Sequence, residues 1–302
     1  MDRMVRWPRD FGLQVRMLGT LFVLGVIYFI FIAVLAYIGV ETLLLLAVML
    51  LVLLIQYFFS DRMVLWSMGA REVSEQEEPH LTETLTRLCA IANLPRPRLA
   101  LVDSAVPNAF ATGRNPKNSV IAVTSSLVST LSQDELEAVL AHELSHVKNR
   151  DVMVITFAGF LSTAAYFLFR NWLTYGSGLG SGSGGRRSDK AALLIIIPLL
   201  AAVVWLISFL LIKALSRYRE FAADRGSAIL TGNPSHLASA LVKISGEMSG
   251  VPTKDLRSVE GMNAFFIIPA ISGTSILNLL STHPTVEQRL AALERIQREM
   301  KG

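Results

Sequence analysis

The chain has 302 residues, of which 52% are hydrophobic and only 17% are charged. This composition is far more apolar than one soluble core requires, so it excludes an ordinary soluble enzyme and predicts a membrane protein. The net charge of +4 would suit nucleic acid in a polar protein, but in so apolar a chain we expect basic residues to set topology and contact anionic lipid, with no nucleic-acid partner.

Four stretches lack charged residues for long enough to cross a bilayer, which takes about 20 helical residues. They are residues 17–40, 42–60, 152–169 and 191–212. We therefore predict two transmembrane hairpins, 1–60 and 152–212, that alternate in the chain with the two halves of one catalytic domain, 61–151 and 213–302. The second hairpin contains a stretch rich in glycine and serine, 175–190, which predicts a loop.

The basic residues orient these hairpins. Four arginines precede the first span, whereas the turn after it has neither lysine nor arginine, so the positive-inside rule places the N-terminus in the cytosol. Four basic residues in the predicted outer loop run against this pattern. Because the number of spans is even, both catalytic segments and the C-terminus are expected on the cytosolic side.

The segment between the hairpins becomes globular in composition. Residues 80–94 have the spacing of an amphipathic helix, and three alternating or β-branched runs follow. These runs are 98–102, 109–112 and 119–125. We expect them to form a small sheet ahead of a helix that covers about 133–150.

That helix carries an H-E-x-x-H motif. Ser132 and Glu135 form a predicted capping box at its start. Residues four apart share one helical face, so the imidazoles of His142 and His146 can bind one Zn²⁺. Glu143 is then placed to accept a proton from a metal-bound water and make the hydroxide that attacks a peptide carbonyl.

A catalytic zinc usually takes a third protein ligand and leaves one position for water. Glu220 and Asp224 lie four apart in a helical context just after the fourth span. Glu220 would complete a site for one zinc ion per chain, and Asp224 would accept an N–H from a zinc-bound histidine. The alternative is a solvated charge cluster in which these carboxylates pair with neighbouring arginines.

Four segments in this order resemble the HtpX family of membrane zinc endopeptidases: 107–113, 142–151, 219–224 and 281–289. Their motifs are also similar to those of the CAAX prenyl endopeptidases, which have more membrane spans. The resemblance implies an α-helical integral membrane protein of the cytoplasmic membrane of a prokaryote. Its catalytic domain would be gluzincin-like and mainly α, with a small β-sheet.

The resemblance also implies a function and further site residues. The expected activity is a quality-control or stress-response protease that cuts damaged membrane proteins or unfolded polypeptides. His283 and Arg289 would approach the substrate carbonyl and stabilise the oxyanion. Asn108, Ala109 and Phe110 would belong to an edge strand that pairs with an extended substrate.

Simpler interpretations exist for several of these features. His283, ahead of Pro284, could only start a helix, and Asn108 could only belong to a turn. Asp151 is interpreted as no more than a helix terminator. For the whole protein, the alternatives are a non-proteolytic scaffold or chaperone with a structural metal, and a hydrolase of a lipid-linked small substrate. Structural zinc sites usually take four Cys or His ligands, so two His and one Glu, with Glu143 beside them, favour the enzyme.

Overall fold

The structure is a computed structural model that describes residues 11–37, 42–151, 154, 187–251, 267–268 and 283–301. Its helices are α1 (Phe11–Tyr37), α2 (Thr42–Ser67), α3 (Pro79–Ala92), α4 (Ser125–Thr130), α5 (Gln133–Asn149), α6 (Arg187–Thr231), α7 (Pro234–Gly250) and α8 (Val286–Lys301). Its strands are β1 (Arg71–Glu72), β2 (Arg98–Val102), β3 (Ala109–Gly113) and β4 (Ser119–Thr124).

Contacts divide the chain into two compact units. The first, here called the apolar unit, consists of Gln14–Tyr57 and Val154–Leu215. The second, here called the mixed unit because it contains both helices and the sheet, consists of Met1–Leu13, Phe58–Met153 and Ser216–Gly302. The residues predicted to carry the chemistry all fall in the mixed unit.

Long, mainly apolar helices characterise the apolar unit. Among the described residues, Phe11–Ala33 and Pro198–Thr231 are long and apolar enough to cross a membrane. A third candidate is α2, which bends by 66° between Leu50–Phe59 and Asp61–Ser67. Of the four predicted spans, 152–169 lies outside the described residues except for Val154.

The surface of α1 fits lipid better than water. Phe22 and Phe29 are 72% and 74% exposed, and exposing such a side chain to water forfeits about 1.5–3 kcal/mol of burial free energy. Inside the unit, the hydroxyls of Tyr28 and Ser208 lie 3.0 Å apart and satisfy each other. This combination of apolar surface and paired interior polar groups is typical of a membrane-embedded helix pair.

The beginning of α6 differs from the predicted loop at 175–190. Residues 187–190 are helical, whereas residues 175–186 lie outside the described part of the chain. The glycines of this stretch end at Gly185, and no helix breaker follows before Pro198. The helix therefore extends backward from its apolar section through Arg187, because adding a residue to an existing helix costs little.

The sheet of the mixed unit has the strand order β1-β2-β4-β3. Strand β4 runs parallel to β2 and antiparallel to β3, with Ala122 opposite both Ala100 and Phe110. The three predicted strands are confirmed to within one residue at each end. Strand β1 was not predicted, because two residues carry no detectable periodicity. In the described residues β3 forms one edge of the sheet.

Alternation along β4 separates two apolar clusters, since successive strand residues face opposite sides. Val120 and Ala122 pack with Leu65 and Phe110 on one face. Ile121 and Val123 face the larger cluster, which includes α3, α5 and α7 and contains Leu85, Leu88, Leu140, Leu144, Leu237 and Leu241. Helix α5 is thereby buried between the sheet and α7, and its position is set by packing on both sides.

The ends of α5 are defined by specific local interactions. At its start, the Ser132 hydroxyl accepts from the Glu135 N–H at 3.4 Å, and the Glu135 carboxylate accepts from the Ser132 N–H at 2.8 Å, which is the predicted capping box. At its end, Arg150 adopts a left-handed conformation with φ of 57°. The helix predicted for 133–150 is therefore confirmed.

Candidate metal centre

Three side chains from two helices converge in the mixed unit. His142 and His146 come from α5 and Glu220 from α6, and their potential ligand atoms all lie within 4.8 Å of one another. The polar face of α6 is held against α5 two turns further on, where the Ser227 hydroxyl donates to the Ala138 carbonyl at 2.6 Å. The predicted set of two histidines and one glutamate is thus brought together.

The two imidazoles are arranged to share a cation. Nδ1 of His142 lies 3.0 Å from Asp224 and Nδ1 of His146 lies 2.6 Å from Asp151, so each ring, in the neutral form that metal binding requires, can donate its one N–H to a carboxylate. Both Nε2 lone pairs then face each other at 3.2 Å. Two Zn–N bonds of about 2.0–2.1 Å at a tetrahedral angle would separate the nitrogens by about 3.3 Å, so this spacing fits zinc.

Glu220 has the environment expected of a third ligand. Its Oε2 is buried and has no hydrogen bond of good geometry from the described residues, although Nδ1 of His283 lies 3.3 Å away and both Nε2 of His142 and Nη1 of Arg289 lie 3.6 Å away. Its Oε1 lies 3.6 Å from Nε2 of His146. A buried carboxylate oxygen without a hydrogen bond is costly unless a cation takes its lone pair, which a metal ion between the three side chains would do.

Charge balance also fits a divalent cation. The centre and its immediate surroundings contain four buried carboxylates and two buried guanidiniums, which are Glu143, Asp151, Glu220, Asp224, Arg219 and Arg289. With every one of these groups ionised and both imidazoles neutral, as metal binding would require, the cluster carries an excess of two negative charges. A dication would neutralise this excess, and buried charges are stable only when they are compensated.

The ring of His142 is backed by an ion pair. Asp224, placed four residues after Glu220 on α6, accepts from Nε of Arg289 at 2.9 Å and from Nη2 at 2.5 Å. Burial by itself disfavours the charged form of Arg289, but the Asp224 carboxylate outweighs it and raises the pKa of the guanidinium above its ordinary value. Arg289 therefore keeps Asp224 ionised beside the imidazole of His142.

A second carboxylate, which the sequence did not identify as part of the site, backs His146. Asp151 is 0% exposed, and its Oδ2 lies 2.6 Å from Nδ1 of His146 and 3.1 Å from Nε of Arg219. Only one signal could have indicated it: an acidic residue follows directly after the predicted end of the motif helix. Arg219 was expected only as a possible surface partner, yet it is buried.

Glu143 is buried next to the two histidines on α5. Burial disfavours its charged form and raises the pKa of its carboxyl above the ordinary value, against the opposing effect of the two imidazoles. A carboxylate whose proton affinity is raised in this way is better suited to accept a proton from a nucleophilic water.

The structure places His283 and Arg289 differently with respect to the predicted oxyanion role. Nδ1 of His283 lies 3.3 Å from Oε2 of Glu220, at the centre itself. The Arg289 guanidinium is engaged on two sides: besides Asp224 it donates from Nη1 to the Ile267 carbonyl at 2.7 Å. Nη1 of Arg289 also lies 3.6 Å from Oε2 of Glu220, so both residues contact the centre, and their oxyanion role stays a prediction.

The edge-strand residues also have defined contacts. The Asn108 side chain is buried and accepts from the Ile267 N–H at 2.9 Å, so it binds the chain's own backbone. Phe110 is buried in the core. The Thr124 N–H donates to the Asn108 carbonyl at 2.9 Å, so the main-chain groups of Asn108 point toward β4. In an antiparallel pair the direction of these groups alternates from residue to residue. The main-chain N–H and C=O groups of Ala109 and Ala111 therefore point away from β4.

The buried His-His-Glu cluster could hold a metal ion beside an adjacent glutamate, and comparison with known sequences specifies the class of protein. Residues 75–297 match Peptidase family M48, and the chain belongs to this family of metalloproteases. It is 57% identical over 295 residues to Protease HtpX homolog 2 of Methanosarcina acetivorans, covering 98% of this chain and 99% of the relative. It is 55% identical over 292 residues to the Protease HtpX homolog of Moorella thermoacetica, covering 97% of each.

The fold has a counterpart among solved structures. The crystal structure of Ste24p from S. mikatae superposes with a TM-score of 0.55 at 20% sequence identity. The match covers 93% of this chain but 65% of the length of Ste24p. The predictions of an HtpX-type membrane metalloprotease and of a helical membrane fold with a small sheet are confirmed.

Proposed function

We propose that this metalloprotease is a zinc-dependent endopeptidase of a prokaryotic cytoplasmic membrane that hydrolyses misfolded or damaged membrane proteins. The observation that carries the proposal is the convergence of His142, His146 and Glu220 beside Glu143 in one buried cluster. One zinc ion per chain would be held by the first three residues. The charge excess and the Nε2 spacing support this assignment.

The chain's own residues have separate tasks in the proposed reaction. When bound, zinc supplies Lewis-acid chemistry that makes a water nucleophilic near neutral pH. Glu143 accepts the proton of the attacking water on its carboxylate and returns it to the departing amine nitrogen as the peptide bond breaks. His283, beside Glu220, donates to the carbonyl oxygen of the substrate as negative charge develops on it.

The edge of β3 opposite β4 is the proposed binding surface for the substrate backbone, although the residues of β3 are themselves buried. An extended peptide alongside it would exchange hydrogen bonds with the main chains of Ala109 and Ala111, as in β-augmentation. Main-chain pairing of this kind binds an unfolded segment without requiring a particular side chain. This tolerance suits a quality-control protease, whose substrates share exposed backbone more than sequence.

The bilayer is the second proposed partner. We propose the four-part organisation predicted from the sequence, with hairpins at 1–60 and 152–212 and the catalytic segments 61–151 and 213–302 in the cytosol. Support comes from the apolar helices and from α6, in which Glu220 follows the apolar stretch on the same helix. Membrane proteins with damaged cytosolic segments are accordingly the proposed substrates.

The decisive experiment combines metal removal with one substitution. The full-length protein in detergent should cleave an unfolded model protein, lose activity with a chelator, and regain it on addition of Zn²⁺. Glu143→Gln should keep about one zinc per chain while cleavage falls by at least about 10³-fold, because the proton acceptor is lost. Glu137→Gln, on the same helix but paired with Arg87, is the matched control and should cleave normally.

Activity that resists chelation would contradict the zinc assignment. Parental cleavage rates in Glu143→Gln would contradict the role of Glu143. A chain that binds zinc but cleaves no polypeptide under any of these conditions would instead support a scaffold with a structural metal.

A further inference from the structure

Asp151 has a geometry that helix termination does not explain. It follows the C-cap Arg150, whose left-handed backbone ends α5. The Asp151 carboxylate lies beside His146, five residues earlier, at 2.6 Å from its Nδ1. A side chain that only ended a helix would lie in solvent, whereas this one is completely buried.

Arg219 supplies the countercharge for this carboxylate. It is buried on α6 directly before Glu220, and its Nε lies 3.1 Å from Oδ2 of Asp151. The same carboxylate oxygen therefore faces both the imidazole N–H and the guanidinium. Burying an arginine so close to a proposed zinc ligand is favourable only if a carboxylate compensates its charge.

The arrangement repeats, with different residues, the one behind the other histidine. Asp224 lies beside His142 and is hydrogen-bonded by Arg289, and Asp151 lies beside His146 and forms an ion pair with Arg219 whose Nε lacks hydrogen-bond geometry. Both pairs are buried, and each places a carboxylate on Nδ1 of its ring. A carboxylate therefore contacts Nδ1 of both histidines at the same centre. This repetition indicates that both rings require such a contact.

That requirement follows from the chemistry of imidazole. A neutral ring has one N–H, and a carboxylate on Nδ1 holds the proton there, so Nε2 presents its lone pair to the metal. The same contact fixes the rotation of the ring and increases the basicity of Nε2. Without it His146 could adopt the other tautomer, in which Nε2 carries the proton and cannot bind.

We infer that Asp151, held by Arg219, is a positioning residue that orients His146 for zinc binding. The inference rests on the proposed zinc site and adds to it a residue pair outside the His-His-Glu set. Asp151→Asn retains the shape of the side chain and an oxygen that can accept from His146. The amide nitrogen would take the place of Oδ1, which has no hydrogen-bond partner among the described residues. This variant therefore removes the charge with little change in packing.

The test measures zinc dissociation constants of the full-length protein in detergent by competition with a chromophoric chelator. Asp151→Ala should weaken zinc binding by about 10- to 100-fold, the usual effect of losing such a contact, and Asp151→Asn by a smaller factor. The visible absorption spectrum of the Co²⁺-substituted protein should change in both variants, because ligand orientation changes. Glu299→Gln breaks an exposed carboxylate–arginine pair with Arg225 and should alter neither measurement.

Three results separate the possible failures. Zinc affinity within twofold of the parent in both Asp151 variants, with an unchanged Co²⁺ spectrum, would overturn the inference. If Asp151→Ala does not fold, Asp151→Asn combined with Arg219→Gln removes both charges, and parental zinc affinity in that double variant would also overturn it. A parent chain that does not bind one zinc would refute the proposed function itself, irrespective of Asp151.

Discussion

Arg289 and Asp224, which lie 65 residues apart in the chain, meet in a two-point ion pair: Nε donates to Oδ2 at 2.9 Å and Nη2 donates to Oδ1 at 2.5 Å. The pair joins α8 to α6 behind the ring of His142. A planar guanidinium matches a carboxylate in this way, and a lysine ammonium does not. The orientation of one proposed zinc ligand is thus determined by a residue from the last described helix.

Arg289→Lys is therefore expected to weaken zinc binding although it conserves the charge. One of the two hydrogen bonds to Asp224 is lost, together with the contact to the Ile267 carbonyl, so the support of His142 loosens. We expect the zinc dissociation constant to increase by about 10-fold, measured by chelator competition. Arg298→Lys, on the exposed side of the same helix, is the control, and equal affinities for the two variants would contradict the positioning role of Arg289.

Glu220→Ala should remove zinc from the purified protein. Two histidines alone form an incomplete set for a catalytic zinc site, and the loss of a buried carboxylate also removes charge compensation for the cation. Elemental analysis should show a decrease from about one zinc per chain to less than about one tenth. Glu294→Ala, an exposed carboxylate on α8, should retain the metal; unchanged zinc in Glu220→Ala would disprove that it is a ligand.

Glu135 should make the stability of the mixed unit depend on acidity. Burial disfavours its ionised form, but hydrogen bonds from Lys243, Ser239 and Ser132 outweigh this effect and lower the pKa of its carboxyl from 4.5 to about 2. A carboxyl with a lower pKa when folded stabilises the protein fully above about pH 4.5, and this contribution is lost as the pH falls toward 2. Metal-free protein is the appropriate sample, because acid also releases zinc.

The variant that checks this is Glu135→Gln. At pH 7 it should unfold with a free energy lower by about 1–3 kcal/mol, since the Lys243 ammonium and the Ser239 hydroxyl lose a charged acceptor. The difference from the parent, measured as unfolding midpoints, should shrink between about pH 5 and about pH 3. The stability of Lys243→Met should depend less on pH than the stability of the parent. A stability difference between Glu135→Gln and the parent that stays constant at all pH values would show that ionisation of Glu135 is not the cause.

Gly113 should not tolerate a side chain. Its φ is +122°, and a Cβ there would lie 2.2 Å from the Asn118 carbonyl oxygen and 2.7 Å from Cα of Ser119, both rigid backbone atoms. Gly113→Ala should destabilise the protein by at least about 2 kcal/mol through strain and overlap at the end of β3. Gly246→Ala adds the same methyl group to α7, where nothing lies within 4 Å, and should stabilise by about 0.5–1 kcal/mol. Thermal unfolding midpoints that shift in the same direction for both variants would contradict a steric requirement for glycine at position 113.

Local interactions account for what could be predicted from the sequence. The Ser132–Glu135 capping box and the i, i+4 spacing of His142 and His146 depend on one helix only, so they could be recognised without knowing the fold. Glu220 required one further step, the expectation that a zinc site needs a third ligand.

Contacts between distant segments could not be predicted in this way. The partner of Asn108 is the backbone of Ile267, 159 residues later, and no side-chain pattern reveals a main-chain acceptor or donor. Arg219 is flanked by other charged residues, and only packing shows that it is buried while Arg225 is exposed on the surface. Asp151 was missed because no sequence pattern indicates the left-handed backbone of Arg150 just before it, or the burial of its carboxylate beside His146.

The contact of Arg289 with Asp224 also determines when the centre is completed during synthesis of the chain. Synthesis proceeds from the N-terminus, so the motif helix and Glu220 both exist well before α8 has been made. Until residue 289 has emerged and docked, the Asp224 carboxylate beside His142 lacks its guanidinium partner, and we expect a nascent chain to bind zinc more weakly than the finished protein.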